Sequence, residues 1–242
     1  MKCRALIIAL LIGAAVLTCG QYKALAQSKP VGGLVDYWKF DEGVGRMASD
    51  CVGRYNGTLQ PGDVWVPGIV NNALHFDGGP GAYVTLPPGV VRALTNFTIC
   101  FWVKIDINAQ WNRAFDFGTG TTAYMLFTPD SNTNSARYAI TTGGNPAEQR
   151  IESTSPLSTG IWHHIAIVQF QSVGKLYIDG IKAGENDNMT LRPSDLGLTT
   201  LNYLGKSQWD PDPTLLGAID EFRIYDVPLT ATQVGALAHL TN

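Results

Sequence analysis

Hydrophobic and polar residues alternate in short runs along most of the chain, and this period of two predicts β-strands. In the run 97–105, every odd-numbered residue from Phe97 to Ile105 is apolar, so one face of this strand is predicted to pack in a core. The run 161–170 is apolar on both faces, which indicates a central strand. The other predicted strands are 34–40, 73–76, 82–86, 113–117, 123–127, 137–141, 175–178, 181–183, 201–204 and 218–225.

Glycine, asparagine, aspartate and proline separate these runs and predict short turns between them. Asp179-Gly180 predicts a two-residue hairpin turn, because both residue types accept a positive φ. One helix is predicted near the C-terminus, where Thr230 and Gln233 have capping-box spacing and apolar residues follow at helical spacing. The pattern therefore predicts an all-β fold, a two-sheet antiparallel sandwich with a short C-terminal helix.

Composition narrows the class of protein. The 242 residues are 45% hydrophobic and 15% charged, which excludes a disordered chain or a coiled coil. The formal net charge of −3 leaves no basic surplus for nucleic acid, so no nucleic-acid partner is predicted. Neither a linker nor a repeat divides residues 27–242, which we therefore predict to form one domain.

The N-terminal residues have the pattern of a secretory signal peptide. Lys2 and Arg4 precede an apolar run over 5–17, and Ala24-Leu25-Ala26 has the small-x-small pattern of a cleavage site. We therefore predict a signal peptide over residues 1–26. The apolar run is shorter than the roughly 18 residues that a membrane span needs, so no membrane span is predicted.

A signal peptide predicts a secreted, periplasmic or cell-surface protein. The alternative is a lipoprotein anchored through Cys19, although Leu17-Thr18 fits poorly with the small residue expected before a lipidated cysteine. Cleavage leaves Cys51 and Cys100. In an oxidising compartment these two either form a disulfide or remain separate small apolar residues, and their spacing excludes a Cys-x-x-Cys metal or redox pair.

The sequence gives only weak evidence for catalysis. The sequence has no Gly-x-Ser-x-Gly, His-Glu-x-x-His or P-loop motif. His163 and His164 are adjacent in a predicted strand and point to opposite faces, so we expect packed or hydrogen-bonded histidines rather than metal ligands. Glu148 and Glu152 are four residues apart, as a glycosidase pair on a strand could be, but the neighbouring proline and arginine indicate a loop.

Five segments contain motifs that together point to a family, and in chain order they are Tyr37–Gly43, Ala73–Val84, Phe97–Val103, Trp162–Gly180 and Gly217–Tyr225. In this order they resemble the laminin G-like jelly-roll domains of the concanavalin A-like lectin/glucanase superfamily, over about 34–237 of the chain. The resemblance implies two packed antiparallel sheets, one of them concave. Two features depart from the superfamily: Cys51 stands where a serine is common, and the Glu-x-Asp-x-x-Glu strand of its glucanases is missing.

Many members of this superfamily bind a structural calcium where the N- and C-terminal strands meet. The matching positions are Asp41, Asp77, Gly78 and Asp220, and their carboxylate and turn carbonyl oxygens are ligands that Ca²⁺ prefers. The alternative is that Asp41 and Asp77 cap turns and Asp220 accepts backbone hydrogen bonds.

Two tryptophans are candidates for sugar binding, because an indole face packs against the C–H groups of a sugar ring. Trp111 lies in a polar loop beside Arg113, and Trp209 lies in a proline-rich loop beside Asp210. These four residues are the predicted ligand site. The alternative is that each indole simply covers the rim of the sandwich.

The sequence thus predicts an exported, non-catalytic carbohydrate-binding module whose partner is an extracellular glycan or polysaccharide. Two alternatives remain, because the fold alone does not decide function. The first is a protein-binding or adhesion module with an extracellular protein partner. The second is a glycoside hydrolase or lyase on the same fold. Calcium is the only cofactor implied.

Overall fold

The computed structural model describes residues 33–240, so the signal peptide predicted over 1–26 lies outside the described residues. The chain forms sixteen strands within this range. They are β1 (Leu34–Trp38), β2 (Met47–Ala48), β3 (Gly57–Leu59), β4 (Asp63–Pro67), β5 (Asn72–Asp77), β6 (Val84–Leu86), β7 (Phe97–Ile105), β8 (Phe115–Gly118), β9 (Tyr124–Thr128), β10 (Arg137–Thr141), β11 (Gln149–Glu152), β12 (Trp162–Phe170), β13 (Val173–Ile178), β14 (Ile181–Asn186), β15 (Leu201–Leu204) and β16 (Leu216–Tyr225).

The strands form two antiparallel sheets. Sheet I has the order β14-β13-β12-β7-β16-β5-β4, with β1 also paired to β16. Sheet II has the order β11-β10-β9-β8-β15-β6-β3-β2. The predicted all-β, two-sheet antiparallel sandwich is confirmed.

Aromatic rings from both sheets meet in the core between them. Phe101 and Phe222 of sheet I stack with ring centroids 5.1 Å apart. Phe101 also contacts Phe115 and Phe127 of sheet II edge-on, at 6.0 and 5.7 Å. All four rings are fully buried. Burying each stabilises the fold by about 1.5–3 kcal/mol, so this cluster joins the two sheets.

The hairpin turn and most strands lie where the sequence predicts them. Asp179 and Gly180 have φ values of 53° and 79° and connect β13 to β14. The interpretation of 148–152 as a loop is wrong, because Gln149–Glu152 pairs with β10. Pro146 belongs to a short 3₁₀ turn just before this strand, so it does not interrupt the pairing.

The predicted C-terminal helix is confirmed as α1 (Ala231–Ala238). Its N-cap Thr230 accepts a hydrogen bond from the backbone N–H of Gln233 at 3.3 Å, and the Gln233 side chain accepts one from the N–H of Thr230 at 2.9 Å. Val234 of the helix packs in a small apolar cluster on the outer face of sheet I. Within residues 33–240, no helix combines the length and hydrophobicity needed to cross a membrane.

The two cysteines are both buried and are not joined in a disulfide, so the pairing alternative is wrong. The N–H of Cys51 donates to the carbonyl of Tyr37, Tyr37 pairs with Arg223, and Arg223 pairs with Cys100. Three strand spacings of about 4.8 Å therefore separate the cysteines by about 14 Å. A disulfide spans no more than about 7 Å between Cα atoms.

Candidate functional site

Loops cover the outer face of sheet II. Along β8, β9 and β10, the side chains of Phe117, Met125 and Tyr138 point into the core, so those of the alternate positions point outward. These outward residues are at most 1% exposed: Asp116, Tyr124, Leu126, Arg137 and Ala139. Because they lie on the outside of the sandwich, only the loops that cross them can exclude water.

The loops bring two tryptophans to one arginine. The guanidinium carbon of Arg113 lies 5.3 Å from the ring centroid of Trp111 and 5.8 Å from that of Trp209. Trp209 also packs edge-to-face on Tyr124, with centroids 4.8 Å apart. The guanidinium carbon of Arg137 lies 5.1 Å from the Trp111 centroid. Cation–π and aromatic contacts therefore fix the orientation of both indoles.

Carboxylates neutralise both arginines. Arg113 Nη2 lies 2.9 Å from Asp212 Oδ2, and Arg113 Nε lies 3.5 Å from Asp116 Oδ2. Arg137 Nη2 lies 2.6 Å from Glu152 Oε1, and Arg137 Nη1 lies 3.7 Å from Glu148 Oε2. Such buried charges persist only when paired, so each arginine and its carboxylates hold the loops in one arrangement.

Asp116 anchors the Trp209 loop to the sheet. Gln208 donates two hydrogen bonds to this carboxyl group, from Nε2 at 2.9 Å and from its backbone N–H at 3.2 Å. Burial raises the pKa of Asp116 to about 6, while the Arg113 guanidinium and the Gln208 hydrogen bonds act against that rise. The position of Trp209, the next residue, is thus coupled to strand β8.

Trp111 has an unusual backbone conformation. Its φ of 71° lies in the left-handed region, which costs a residue with a side chain about 1–3 kcal/mol. Its N–H donates to the carbonyl of Asp130 at 2.9 Å, and its own carbonyl accepts from Arg113. These two hydrogen bonds hold the strained residue so that its ring lies over the arginines.

Two depressions adjoin Trp209. The first has a volume of about 190 Å³ and is lined by Trp111, Arg113, Asn145, Glu148, Trp209 and Asp212. The second has a volume of about 370 Å³ and is lined by residues that include Gly78, Lys206, Trp209, Asp210, Asp212 and Thr214. Trp209 and Asp212 therefore belong to both.

The structure brings three of the four sequence-predicted ligand residues, Trp111, Arg113 and Trp209, to the first depression. Asp210 is exposed and lines the second depression instead. Asp212 also lines the first depression but is not among the predicted ligand residues, although it lies in the same loop as Trp209. Glu148 lines it too, and its sequence context points only to a catalytic role, because no local pattern shows that strands β10 and β11 place it near Trp111.

Two of the four positions predicted for calcium flank the loop at 68–72. Asp220 Oδ2 accepts from the backbone N–H groups of Ile69 and Val70 at 2.8 and 3.1 Å, while its Oδ1 is buried with no hydrogen-bond partner among residues 33–240. Burial, with the charges of Glu221 and Asp41, raises the pKa of Asp220 to about 8. The Asp41 carboxylate lies 2.9 Å from Lys39 Nζ.

Asp77 and Gly78 lie elsewhere. Asp77 pairs with Leu216, four residues before Asp220 in β16, which corresponds to about 13 Å along a strand. Asp77 Oδ1 caps its own turn by accepting from the N–H of Gly79 at 2.8 Å. Among the described residues, no group of three or more His, Cys, Asp or Glu side chains could hold a metal ion. The free oxygen of Asp220 suits a hard cation, and calcium there stays a prediction.

His163 is hydrogen-bonded and His164 is packed against Trp102, with ring centroids 5.3 Å apart, as the predicted alternatives to metal ligands. His163 contacts Asp179 Oδ2 through Nδ1 and Ser158 Oγ through Nε2, both at 2.8 Å. This is the order of a hydrolase triad, but the nearby N–H of Gly160 donates to the carbonyl of Ile105 and so cannot bind an oxyanion. Burial lowers the pKa of His164, on the opposite face, to about 3.

Comparison with solved structures identifies the same fold in carbohydrate-active proteins. Domain 4 of AbnA, a GH43 extracellular arabinanase from Geobacillus stearothermophilus, solved in complex with arabinotriose, superposes with a TM-score of 0.74 at 22% identity, over 86% of this chain and 99% of that domain. Trypanosoma rangeli sialidase superposes with a TM-score of 0.62 at 18% identity, over 85% of this chain and 32% of the sialidase. At these identities the likeness shows the fold.

Comparisons of sequence give the family. The rat protein "Sushi, von Willebrand factor type A, EGF and pentraxin domain-containing protein 1" is 26% identical over 167 residues, and the mouse protein of that name is 27% identical over 168; each alignment covers 64% of this chain and 4% of the relative. The chain therefore matches only a small part of these relatives. The Laminin_G_3 family model, described as Concanavalin A-like lectin/glucanases superfamily, matches residues 77–235. The resemblance seen in the five segments is confirmed, and the chain belongs to the concanavalin A-like lectin/glucanases superfamily.

Proposed function

We propose that this protein binds a glycan without cleaving it, and that the glycan lies in the first depression between Trp111 and Trp209. The observation that carries the proposal is the convergence of two half-buried indoles on one arginine at a concave surface. Indole faces provide apolar contact for sugar C–H groups. Arginine, asparagine and carboxylate groups at the same place donate to and accept from sugar hydroxyls.

The site is held in place before a ligand arrives. Arg113 is fixed by Asp116 and Asp212, and Asp212 also accepts from Ser207 Oγ at 2.8 Å. Side chains that are already ordered lose little conformational entropy on binding, which favours affinity. A sugar-binding surface of this kind gains from rigidity because each hydroxyl contact is weak.

The carboxylates of the depression are engaged in structural contacts, which favours binding over hydrolysis. Glu148 Oε2 lies 3.3 Å from Arg150 Nε, and Glu148 Oε1 accepts from the Tyr124 hydroxyl at 2.6 Å. Asp212 is similarly paired with Arg113. A glycosidase needs two carboxyl groups that face the scissile bond from either side, and these two instead fix arginines and a tyrosine.

The comparisons support a glycan ligand outside the cell. The superposing arabinanase domain was solved in complex with arabinotriose and comes from an extracellular enzyme. The sialidase that shares the fold also acts on a carbohydrate. We infer from these similarities that the protein binds a glycan in an extracellular or cell-surface location.

The proposal is tested with a glycan array, followed by calorimetric titration and a reducing-sugar assay on the glycans that bind. We expect binding without sugar release, and we expect Trp209→Ala to weaken binding about five- to thirtyfold, since one stacked aromatic ring contributes about 1–2 kcal/mol. Trp65→Ala is the matched control, because Trp65 is a half-buried tryptophan of β4 on the other sheet. If no glycan on the array binds and an extracellular protein does, the result would favour an adhesion module. Sugar release would favour an enzyme.

A further inference from the structure

We propose that Trp209 separates two sugar subsites, so that the ligand is a neutral oligosaccharide of at least two units that lies across this indole. The inference rests on the proposed glycan-binding role and specifies its ligand class. It follows from the presence of the second depression, because the contacts that form the first depression do not explain why a second one lies beside it.

Trp209 lines both depressions. The first also contains Arg113, whose guanidinium lies 5.8 Å from the indole centroid, and the second also contains Lys206. The N–H of Trp209 donates to Ser207 Oγ at 3.1 Å, and its carbonyl accepts from the N–H of Asp212 at 3.1 Å. A ligand confined to one depression would leave the other depression beside Trp209 empty.

The second depression adjoins an aromatic platform on the same sheet. Tyr83 and Tyr203 are half-buried and meet edge-to-face with centroids 5.5 Å apart. Lys206 Nζ lies 4.9 Å from the Tyr83 centroid and 5.4 Å from the Tyr203 centroid. Tyr203 pairs with Asp116, which binds Arg113, so platform and first depression lie side by side along the outer face of sheet II. A sugar chain can therefore follow one continuous surface.

The charges of the two depressions indicate that the ligand is neutral. In the first, Arg113 is balanced by Asp212, and Glu148 is paired with Arg137 and Arg150. In the second, the single cation Lys206 shares the lining with Asp210 and Asp212. Neither depression presents an excess of positive charge that would select a sulfate or carboxylate, whereas paired donors and acceptors match hydroxyl groups.

The experiment measures affinity against chain length and charge. The probes are arabino-, xylo-, cello- and manno-oligosaccharides of one to five units, with polygalacturonate and sulfated dextran as acidic polymers, each titrated calorimetrically into the whole protein. We expect affinity to rise about tenfold or more from one to three units of the neutral series that binds, since each added subsite contributes about 1.4 kcal/mol.

Two variants distinguish the subsites. We expect Lys206→Met to weaken trisaccharide binding about fivefold or more, and by a larger factor than it weakens monosaccharide binding. Lys104→Met, a partly exposed lysine on sheet I, is the control and leaves both affinities unchanged. Equal affinity for one and three units, or tighter binding of an acidic polymer, would overturn this inference while leaving glycan binding intact. Absence of binding to every probe and to the array overturns the proposed function itself.

Discussion

A helix covers part of the outer face of sheet I, whereas loops cover the outer face of sheet II. On sheet I, Cys100, Ala166 and Val168 form an apolar cluster with Leu229 and with Val234 of helix α1. On sheet II, two of the outward positions, Asp116 and Arg137, carry charges and are contacted by the covering loops through ion pairs and hydrogen bonds. An apolar helix can lie flat on a sheet, whereas loops anchored at separate polar points leave gaps between the anchors.

The difference indicates where function can develop on a sandwich. The helix-covered part of sheet I gains stability from apolar burial. On the loop-covered face, the desolvation of arginines and aspartates lowers the free energy of unfolding. The same charged contacts hold Trp111 and Trp209 at an open surface. If this distinction is right, substitutions under the helix change stability alone, and substitutions under the loops change stability and binding together.

The largest effect is expected under the helix. Val234→Asp places an unpaired carboxylate in the apolar cluster, and we expect it to lower the free energy of unfolding by about 3–4 kcal/mol and the melting temperature by about 10 °C. Circular dichroism on heating measures the change. Thr232→Asp, on the exposed side of the same helix, is the control with no such loss. Weaker glycan binding by folded Val234→Asp protein would contradict the proposed division of roles.

Arg113→Met is expected to come next, and to affect both properties. It leaves the buried Asp116 and the partly buried Asp212 without their cation, which costs about 2–3 kcal/mol of stability and weakens glycan binding at least about tenfold. Because protonation relieves a carboxyl group left unpaired, the stability difference from wild type should be smaller at pH 5 than at pH 8. Urea unfolding at the two pH values tests this, and a pH-independent loss would argue against Asp116 as the cause.

Asp36 is a buried carboxyl group that can be compared with Asp116. Its charged neighbour is another carboxyl group, Asp50, whereas Asp116 has Arg113 as a neighbour. Burial, and then the neighbouring Asp50, raises the pKa of Asp36 from 3.8 to about 9, so the folded state holds a proton that the unfolded state releases. The stability linked to this proton is therefore complete below about pH 4 and is lost as the pH rises towards 9. Asp36→Asn, which imitates the protonated acid, should flatten this dependence and raise stability at pH 8.5 by about 1–2 kcal/mol. Melting curves from pH 5 to 8.5 measure it, and parallel curves for variant and wild type would contradict it.

The smallest expected effect distinguishes the contribution of the Trp111 indole to binding from the contribution of the Trp111 backbone conformation to stability. Trp111→Ala and Trp111→Gly both remove the indole, so we expect the same loss of glycan affinity from each. Glycine adopts the left-handed conformation at no steric cost, so Trp111→Gly should be about 1 kcal/mol more stable than Trp111→Ala. Paired denaturation and titration experiments give both quantities, and equal stability would mean that the backbone is not strained at this residue.

Much of the fold could be predicted from sequence because its signals are local. Alternation over 97–105 requires only that one face of a strand be buried, and the structure has a strand with these bounds. The capping residues of α1 and the Asp179-Gly180 turn are equally local. Strand β11 cannot be predicted locally because Pro146 lies shortly before it. Whether a proline interrupts a strand or precedes it depends on the pairing with β10, which no local pattern shows.

The site could be predicted only in part, for the same reason. Trp111 and Trp209 stand out as tryptophans in polar loops, which composition reveals. Their meeting at Arg113 depends on loops about a hundred residues apart crossing one sheet, and no local pattern encodes that. The ion pairs of Glu148 with Arg137 and Arg150 cannot be predicted from the sequence around Glu148, because they form only when β10 and β11 pair.

The separation of the two cysteines has a consequence for how this sandwich can form. Cys100 lies under helix α1, and Cys51 lies three strand spacings away, so neither needs an oxidant to reach its native position. Burial further raises the pKa of the Cys100 thiol to about 12, which keeps it protonated and unreactive. We therefore expect residues 33–240 to fold as well in the reducing cytoplasm of an expression host as in an oxidising compartment. The protein should also keep its melting temperature in dithiothreitol.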